Sequence, residues 1–434
     1  MPITAPAFAN GVVAVDGDRI AYVGDVTEAP PGSDIDLGDV VLLPGLVNVH
    51  THLELTAMRG FLENLDFRSW ILRLTTAKRE VFSRAMLLDA ARYGIVEGLR
   101  HGITTYADTC DSGVAFDAMQ EAGVRGVMYQ EVFGPDPAQC ADSMTALREK
   151  VTRLRRLETP LVRVGVSPHA PYTVSDALFA AVGRYARDEA LPVAIHIAES
   201  KLEEDLVVHA NGSFADGLRR RGIAVRPRER SPIALLASLE VLAARPLLIH
   251  CVRVDDDDIA LVARAQCSIA HCPVSNAKLG HGIAPLLAFL EANIRVGFGS
   301  DSMASNNRMD ILEEARVALL FQRARLGQFG ELDADTVLRL ATLGGAQALG
   351  MDGTVGSLDV GKFADLAAFP LVDAAPVHDP VVAAVFALAG TPASFVAVAG
   401  RVLVGEGVLV GRDPTLEQRV QYGADALQDW LRRQ

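Results

Sequence analysis

The chain has 434 residues, half of them apolar, with a formal net charge of −13 and five cysteines. The acidic balance argues against a nucleic-acid or anionic-membrane surface, because phosphate binding needs a basic excess. Five scattered cysteines without a CxxC pair point to reduced thiols in the cytoplasm, and neither a secretory leader nor an apolar run of about 20 residues is found. The length suits one large domain and a smaller one, with a small molecule as partner and homo-oligomerisation left open.

In chain order, "GVVAVDGDRIAYVG" (11–24) predicts two short strands around the Asp16-Gly17 turn. The same texture returns at "GSLDVGKFADLAAF" (356–369) and "FVAVAGRVLVGEGVLVG" (395–411), followed by a helical pattern in "TLEQRVQYGADALQDWLRRQ" (415–434). Residues 1–44 and 355–434 are therefore expected to pair as one small β-sandwich domain, closed by the terminal helix. Between them, apolar runs alternate with amphipathic stretches: Val41–Val49, Ile103–Asp108, Gly126–Phe133, Val162–Ser167, Pro192–Ala198, Leu247–Val252, Cys267–His271 and Ile294–Ser300. Eight buried strands with helical crossovers predict an α/β chain whose residues 45–354 form a (β/α)8 TIM-like barrel. The competing open doubly wound sheet lacks a GxGxxG after its first strand.

Polar groups gather where these strands end. The first ends in His50-Thr51-His52, the fourth in His169, the fifth in His196 and Glu199, the sixth in His250, the seventh in His271, the eighth in Asp301. Any one of them has a bland reading: a hydrogen-bonded core histidine, a helix-capping aspartate, a solvated carboxylate. Together at one end of consecutive strands they would leave several buried polar groups unpaired unless a cation or a ligand engages them. His209, His281 and His378 have no supporting neighbours and read as surface or loop residues, and Cys251 and Cys272 as packing groups.

HxH after the first strand, His on the fifth and sixth, and Asp on the eighth resemble the amidohydrolase superfamily. "SPHAPYT", "HIAES", "HCPVSNAKLG" and "GSDSMASNNRMDILEEAR" resemble its aminohydrolase branch of nucleobase and nucleoside deaminases, S-adenosylhomocysteine deaminases and triazine hydrolases. The resemblance implies a metal-dependent hydrolase with His50, His52, His196 and Asp301 as metal ligands. Binuclear members resemble one another in a carbamylated lysine on the fourth strand. Leu161–His169 has no lysine, only Arg163, so one divalent ion is expected, Zn²⁺ first and Fe²⁺ second.

The resemblance further implies hydrolytic deamination of an amino-heterocycle by metal-activated water, with ammonia released. Glu199, His250 and Asp301 are its catalytic groups, Glu199 as the general acid–base. His169 is expected to face the substrate, and Glu54 and Trp70 to line the pocket, Trp70 by stacking or else as a core residue. "HLEL" resembles aminodeoxyfutalosine deaminases more than S-adenosylhomocysteine deaminases. The arginines of Leu218–Arg230 would then meet a substrate carboxylate, or else form a solvated basic face. The alternatives are hydrolysis of another C–N or a C–Cl bond on a heterocycle, and an inactive scaffold on the same fold.

Overall fold

The computed structural model describes residues 1–434, the side chain of Asp373 excepted. Two four-stranded parallel sheets form its centre. In the first, β1 (Leu46–Thr51), β2 (Ile103–Cys110), β3 (Arg125–Val132) and β4 (Val162–Pro168) pair in chain order. In the second, so do β5 (Ala194–Ile197), β6 (Leu247–His250), β7 (Ser268–His271) and β8 (Arg295–Phe298). All eight are buried almost throughout, as expected of parallel strands covered by helices.

The two sheets bond to each other at both edges. Val166 bridges Val193 in parallel on one side, and Thr51 bridges Asp301 on the other. Asp301 N–H donates to the His50 carbonyl (2.9 Å), and His196 N–H to that of His169 (3.0 Å). Side-chain caps open the helices that follow the strands. Ser175 accepts from Leu178 N and Ser200 from Glu203 N, and Asp255 with Asp258 forms a reciprocal capping box.

The run Val41–Val49, expected as one strand, is two. Val40–Pro44 pairs antiparallel with Leu366–Pro370 in a separate five-stranded sheet with Phe395–Val398, Arg401–Gly405 and Val408–Leu409. The chain changes sheets at Gly45, where a Cβ would stand 2.1 Å from Thr104 Oγ1. The hairpin Gly11–Asp16/Arg19–Asp25 packs its Ile20 with Leu366, Ala368 and Phe395 of that sheet. A buried bidentate pair, Arg125 to Asp365 (2.8 and 3.0 Å), ties the five-stranded sheet to β3.

The terminal helix Leu416–Arg432, expected to close this β unit, does not do so. It lies on the helices Phe67–Val81 and Arg84–Arg100, where Trp430 Nε1 donates to Glu80 (2.9 Å) and Arg419 pairs with Asp89 (2.8 Å). Its apolar stripe, with Leu427 and Trp430 buried, is what directs it there. No helix among the described residues is long and apolar enough to cross a membrane.

Candidate metal and active site

Both histidines of the HxH pair stand at the end of β1, their rings edge-on with centroids 4.9 Å apart. Asp301 Oδ1 lies 3.2 Å from His50 Nε2 and 3.6 Å from His52 Nε2, and His52 Nε2 is 3.3 Å from His196 Nε2. Ligand atoms around a tetrahedral ion with bonds of about 2.0–2.1 Å stand about 3.3–3.4 Å apart, so this spacing suits one ion. The buried Nε2 of His50 has no hydrogen-bond partner, which marks it as an electron pair aimed at a ligand.

The surrounding bonds set the tautomers. His52 Nδ1 donates to the Thr109 carbonyl (2.9 Å) and His196 Nδ1 to that of His169 (3.3 Å), which leaves each Nε2 with a free lone pair. Burial, with the neighbouring imidazole of His50, pushes His52 down to about 3. Burial and the surrounding histidines hold His196 well below its usual value. Both are neutral at pH 7, the state a metal needs. Burial opposes ionisation of Asp301, but His50, His250 and His52 outweigh it and hold the carboxyl well below the usual range. Its Oδ2 accepts from Ser275 (2.5 Å) and Ser305 (2.9 Å), its Oδ1 from Ser302 N–H (2.7 Å).

Beside this cluster His250 Nδ1 donates to Asn276 Oδ1 (3.0 Å), and its Nε2 lies 3.6 Å from Glu199 Oε1. Burial opposes the Glu199 charge, yet His250 and His281 bring its pKa below the ordinary value. Glu199 is held from behind: the wholly buried Glu203 accepts from Ala198 N–H (2.8 Å) and Glu199 N–H (3.1 Å). Gly299 lets β8 reach the cluster, since a Cβ there would sit 2.8 Å from His50 Cβ.

Of the histidines expected as surface or loop residues, His281 does lie in a loop, but with its ring buried beside Glu199. Its ring is 5% exposed, its Nε2 lies 3.3 Å from Glu199 Oε1 without hydrogen-bond alignment, and Phe67 meets it edge-on at 4.5 Å. The available signal was position: His281 lies in the loop that follows β7, at the strand end where the other polar groups collect. His169 stands beside the cluster, ring 4.7 Å from that of His196, its Nδ1 bonded to Thr173 Oγ1 (2.8 Å).

Glu54 and Trp70 do not line an open pocket. Glu54 is buried, and its carboxylate is taken by Lys78, which also holds Asp111, and by the Ser112 hydroxyl. Trp70 stacks on Phe67 (6.1 Å, 16°), and it is Phe67 that touches His281. Three of the six arginines expected to meet a substrate carboxylate are engaged elsewhere: Arg219 with Asp216, Arg228 with Asp176, Arg230 with Asp255.

Three histidines and a carboxylate thus stand together, largely buried, at one end of the strands. Residues 41–403 match the amidohydrolase family model. The chain belongs to the amidohydrolase family. A 5-methylthioadenosine/S-adenosylhomocysteine deaminase of Moorella thermoacetica is 31% identical over 94% of this chain and 92% of its own. The zinc-bound crystal structure of an adenosine deaminase from Xanthomonas campestris superposes with a TM-score of 0.88 at 28% identity, covering 99% of this chain and 97% of that one. Atrazine chlorohydrolase from Arthrobacter aurescens, solved with zinc, gives 0.82 at 28% identity over 96% and 95%.

Proposed function

We propose that this amidohydrolase is a zinc-dependent hydrolytic deaminase of an adenine-type nucleoside, acting on a small molecule in the cytoplasm. In this reading the eight parallel strands act as one closed (β/α)8 barrel over residues 45–354, and both chain ends supply the smaller β domain. The observation that carries it is the placing of Asp301 against His50 and His52, and of His52 against His196, with Glu199 beside the neighbouring His250. The deaminases among the relatives supply the substrate class.

A divalent ion in this set supplies a Lewis acid that lowers the pKa of water from 15.7 to about 7. The chain's own residues do the rest. Asp301, ionised and buried, accepts a proton on the carboxylate face toward His50. His250, held through Nδ1 by Asn276, sets its Nε2 beside Glu199 and orients the attacking water. Glu199, kept ionised by its surroundings, takes one proton of the attacking water and gives it to the ring nitrogen, and then passes the second, taken up by Asp301, to the departing amine. Phe67, Tyr172 and Phe214 pack together beside these groups, Tyr172 and Phe214 stacked at 4.2 Å, and screen them from water.

The zinc-loaded protein is expected to release ammonia from adenosine, 5'-deoxyadenosine, 5-methylthioadenosine or S-adenosylhomocysteine, with the ultraviolet change of adenine to hypoxanthine. Metal analysis should find one ion per chain, removed by a chelator together with activity. Chloride release from a chlorotriazine without any ammonia release would move the activity to C–Cl hydrolysis, and a chain that takes up no metal would be a scaffold.

A further inference from the structure

On the strand opposite β7 in the order of the eight, the end of β3 carries two residues that the chemistry above leaves unused. Glu131 is only 7% exposed, and its Oε1 is buried without any hydrogen-bond partner. A carboxylate oxygen stands among the ring nitrogens of His169 and His196, within 4.8 Å of both. Two residues on, Phe133 is 42% exposed although large and apolar, and its ring lies 5.1 Å from that of His169. Glu131 lies at the end of the ladder and Phe133 one residue beyond the strand. An unpaired buried acceptor beside an exposed aromatic ring, both against His169, is the make-up of a ligand wall: one group to orient, one to cover apolar surface.

We propose that Glu131 and Phe133 form the subsite for the substituent on the substrate's heterocycle, with Glu131 accepting a hydrogen bond from a hydroxyl group of that substituent. The assignment rests on the deaminase reading of the same site. With the reacting carbon held between Asp301 and Glu199, the remainder of the molecule extends past His169 toward β3. In an adenine nucleoside the donors on that side are the sugar hydroxyls. The surroundings select against an anion there. Glu54, Asp108 and Asp111 outnumber Lys78 and Lys150, the nearest cations, and Lys78 is already committed to Glu54 and Asp111. Burial, then Asp111, pushes the Glu131 carboxyl up, a cost that a donor hydroxyl offsets on binding. The subsite therefore favours a neutral hydroxylated substituent over a carboxylate-bearing one.

The test compares kcat/KM for adenosine and 2',3'-dideoxyadenosine in the zinc-loaded wild type, Glu131→Leu and Glu131→Gln. The wild type should prefer adenosine by about ten- to a hundredfold, the cost of leaving a buried acceptor unpaired against the dideoxy sugar. Glu131→Leu should bring the ratio to within about threefold of one, through KM and kcat/KM for adenosine, and leave the dideoxy substrate nearly unchanged. Glu131→Gln, which keeps the shape, should fall between, and it decides the matter if the leucine variant does not fold. A wild type without the preference, or variants that retain it, overturns the subsite while nucleoside deamination stands. Ammonia release from no nucleoside at all overturns the deaminase reading, and the subsite with it. Phe133→Ala should raise KM for nucleosides with kcat little changed, and an unaltered KM removes Phe133 from the subsite.

Discussion

The two halves of the central sheet system are built differently. Strands β1–β4 run six to eight residues, whereas β5–β8 each run four. In the second half the chain leaves the ladder through non-glycine residues in the left-handed region: Ala198 (φ 51°) after β5, His250 (77°) and Cys251 (46°) at β6, Asp301 (56°) after β8. Among the described residues, none lies within three positions of the ends of β1–β4. Each such residue costs about 1–3 kcal/mol and persists only where its surroundings over-determine it. The left-handed turns sit where Glu199, His250 and Asp301 must leave the strand direction and converge. The first half, without that strain, holds the Glu54–Lys78–Asp111 cluster and the wall formed by Glu131 and Phe133. Proton chemistry is thus assigned to the strained half and substrate fit to the relaxed one.

Substitutions that break this division should differ in kind as well as size. The largest effect is expected of Glu199→Gln: kcat lower by about 10²–10⁴-fold with metal content unchanged, as for loss of a positioned general acid–base. Near-normal turnover in a metal-replete variant would remove Glu199 from proton transfer. Asn276→Ala, which frees the Nδ1 side of His250, should cost about 10–100-fold in turnover, the range for losing a partner that orients a site histidine. Zinc stoichiometry should hold at one, and a metal-depleted Asn276→Ala protein would mean that His250 belongs with the ligands instead.

Glu203 gives a pH test of the second half. Burial pushes its carboxyl up from the ordinary 4.5 to about 8. Between those values the folded chain keeps a proton that the unfolded chain has released. The Glu203 contribution to stability is therefore greatest below about pH 4.5 and falls as pH rises toward 8, by at most about 1.4 kcal/mol per pH unit. Urea unfolding of wild type and Glu203→Gln at several pH values between 5 and 8 isolates this contribution. The stability difference between them should shift against the wild type as pH rises, and a constant difference would refute the assignment.

What was legible in the sequence follows the same division. Apolar runs locate all eight strands because parallel strands buried on both faces leave a continuous signal, and polar residues directly after such runs single out His50, His52, His196, His250 and Asp301. Val41–Val49 misleads because nothing in hydropathy marks a change of sheet; the close approach of Thr104, which leaves no room for a side chain at Gly45, is a contact between distant residues. Glu54 looks like a pocket carboxylate until Lys78, a helix away, takes it. His281 lies in irregular chain, where no periodicity assigns a face, and Glu131 sits inside an apolar run where one acidic residue gives no sign of where it points.

The smallest expected effect separates the halves by one chemical change made twice. Ala107→Gly in β2 removes a buried methyl and loosens an extended backbone, together about 1.5–2 kcal/mol of destabilisation. Ala198→Gly removes an equally buried methyl, but at φ 51° it also relieves about 1 kcal/mol or more of left-handed strain, so its net change should lie within about 1 kcal/mol of zero. Relief of strain also loosens the hold on Glu199, which ought to lower kcat a few-fold in Ala198→Gly and leave it unchanged in Ala107→Gly. Denaturant midpoints and kcat measured on both variants read the two consequences separately. Equal destabilisation by the two substitutions would mean that the left-handed turn after β5 stores no strain, and the contrast between the halves would then reduce to strand length.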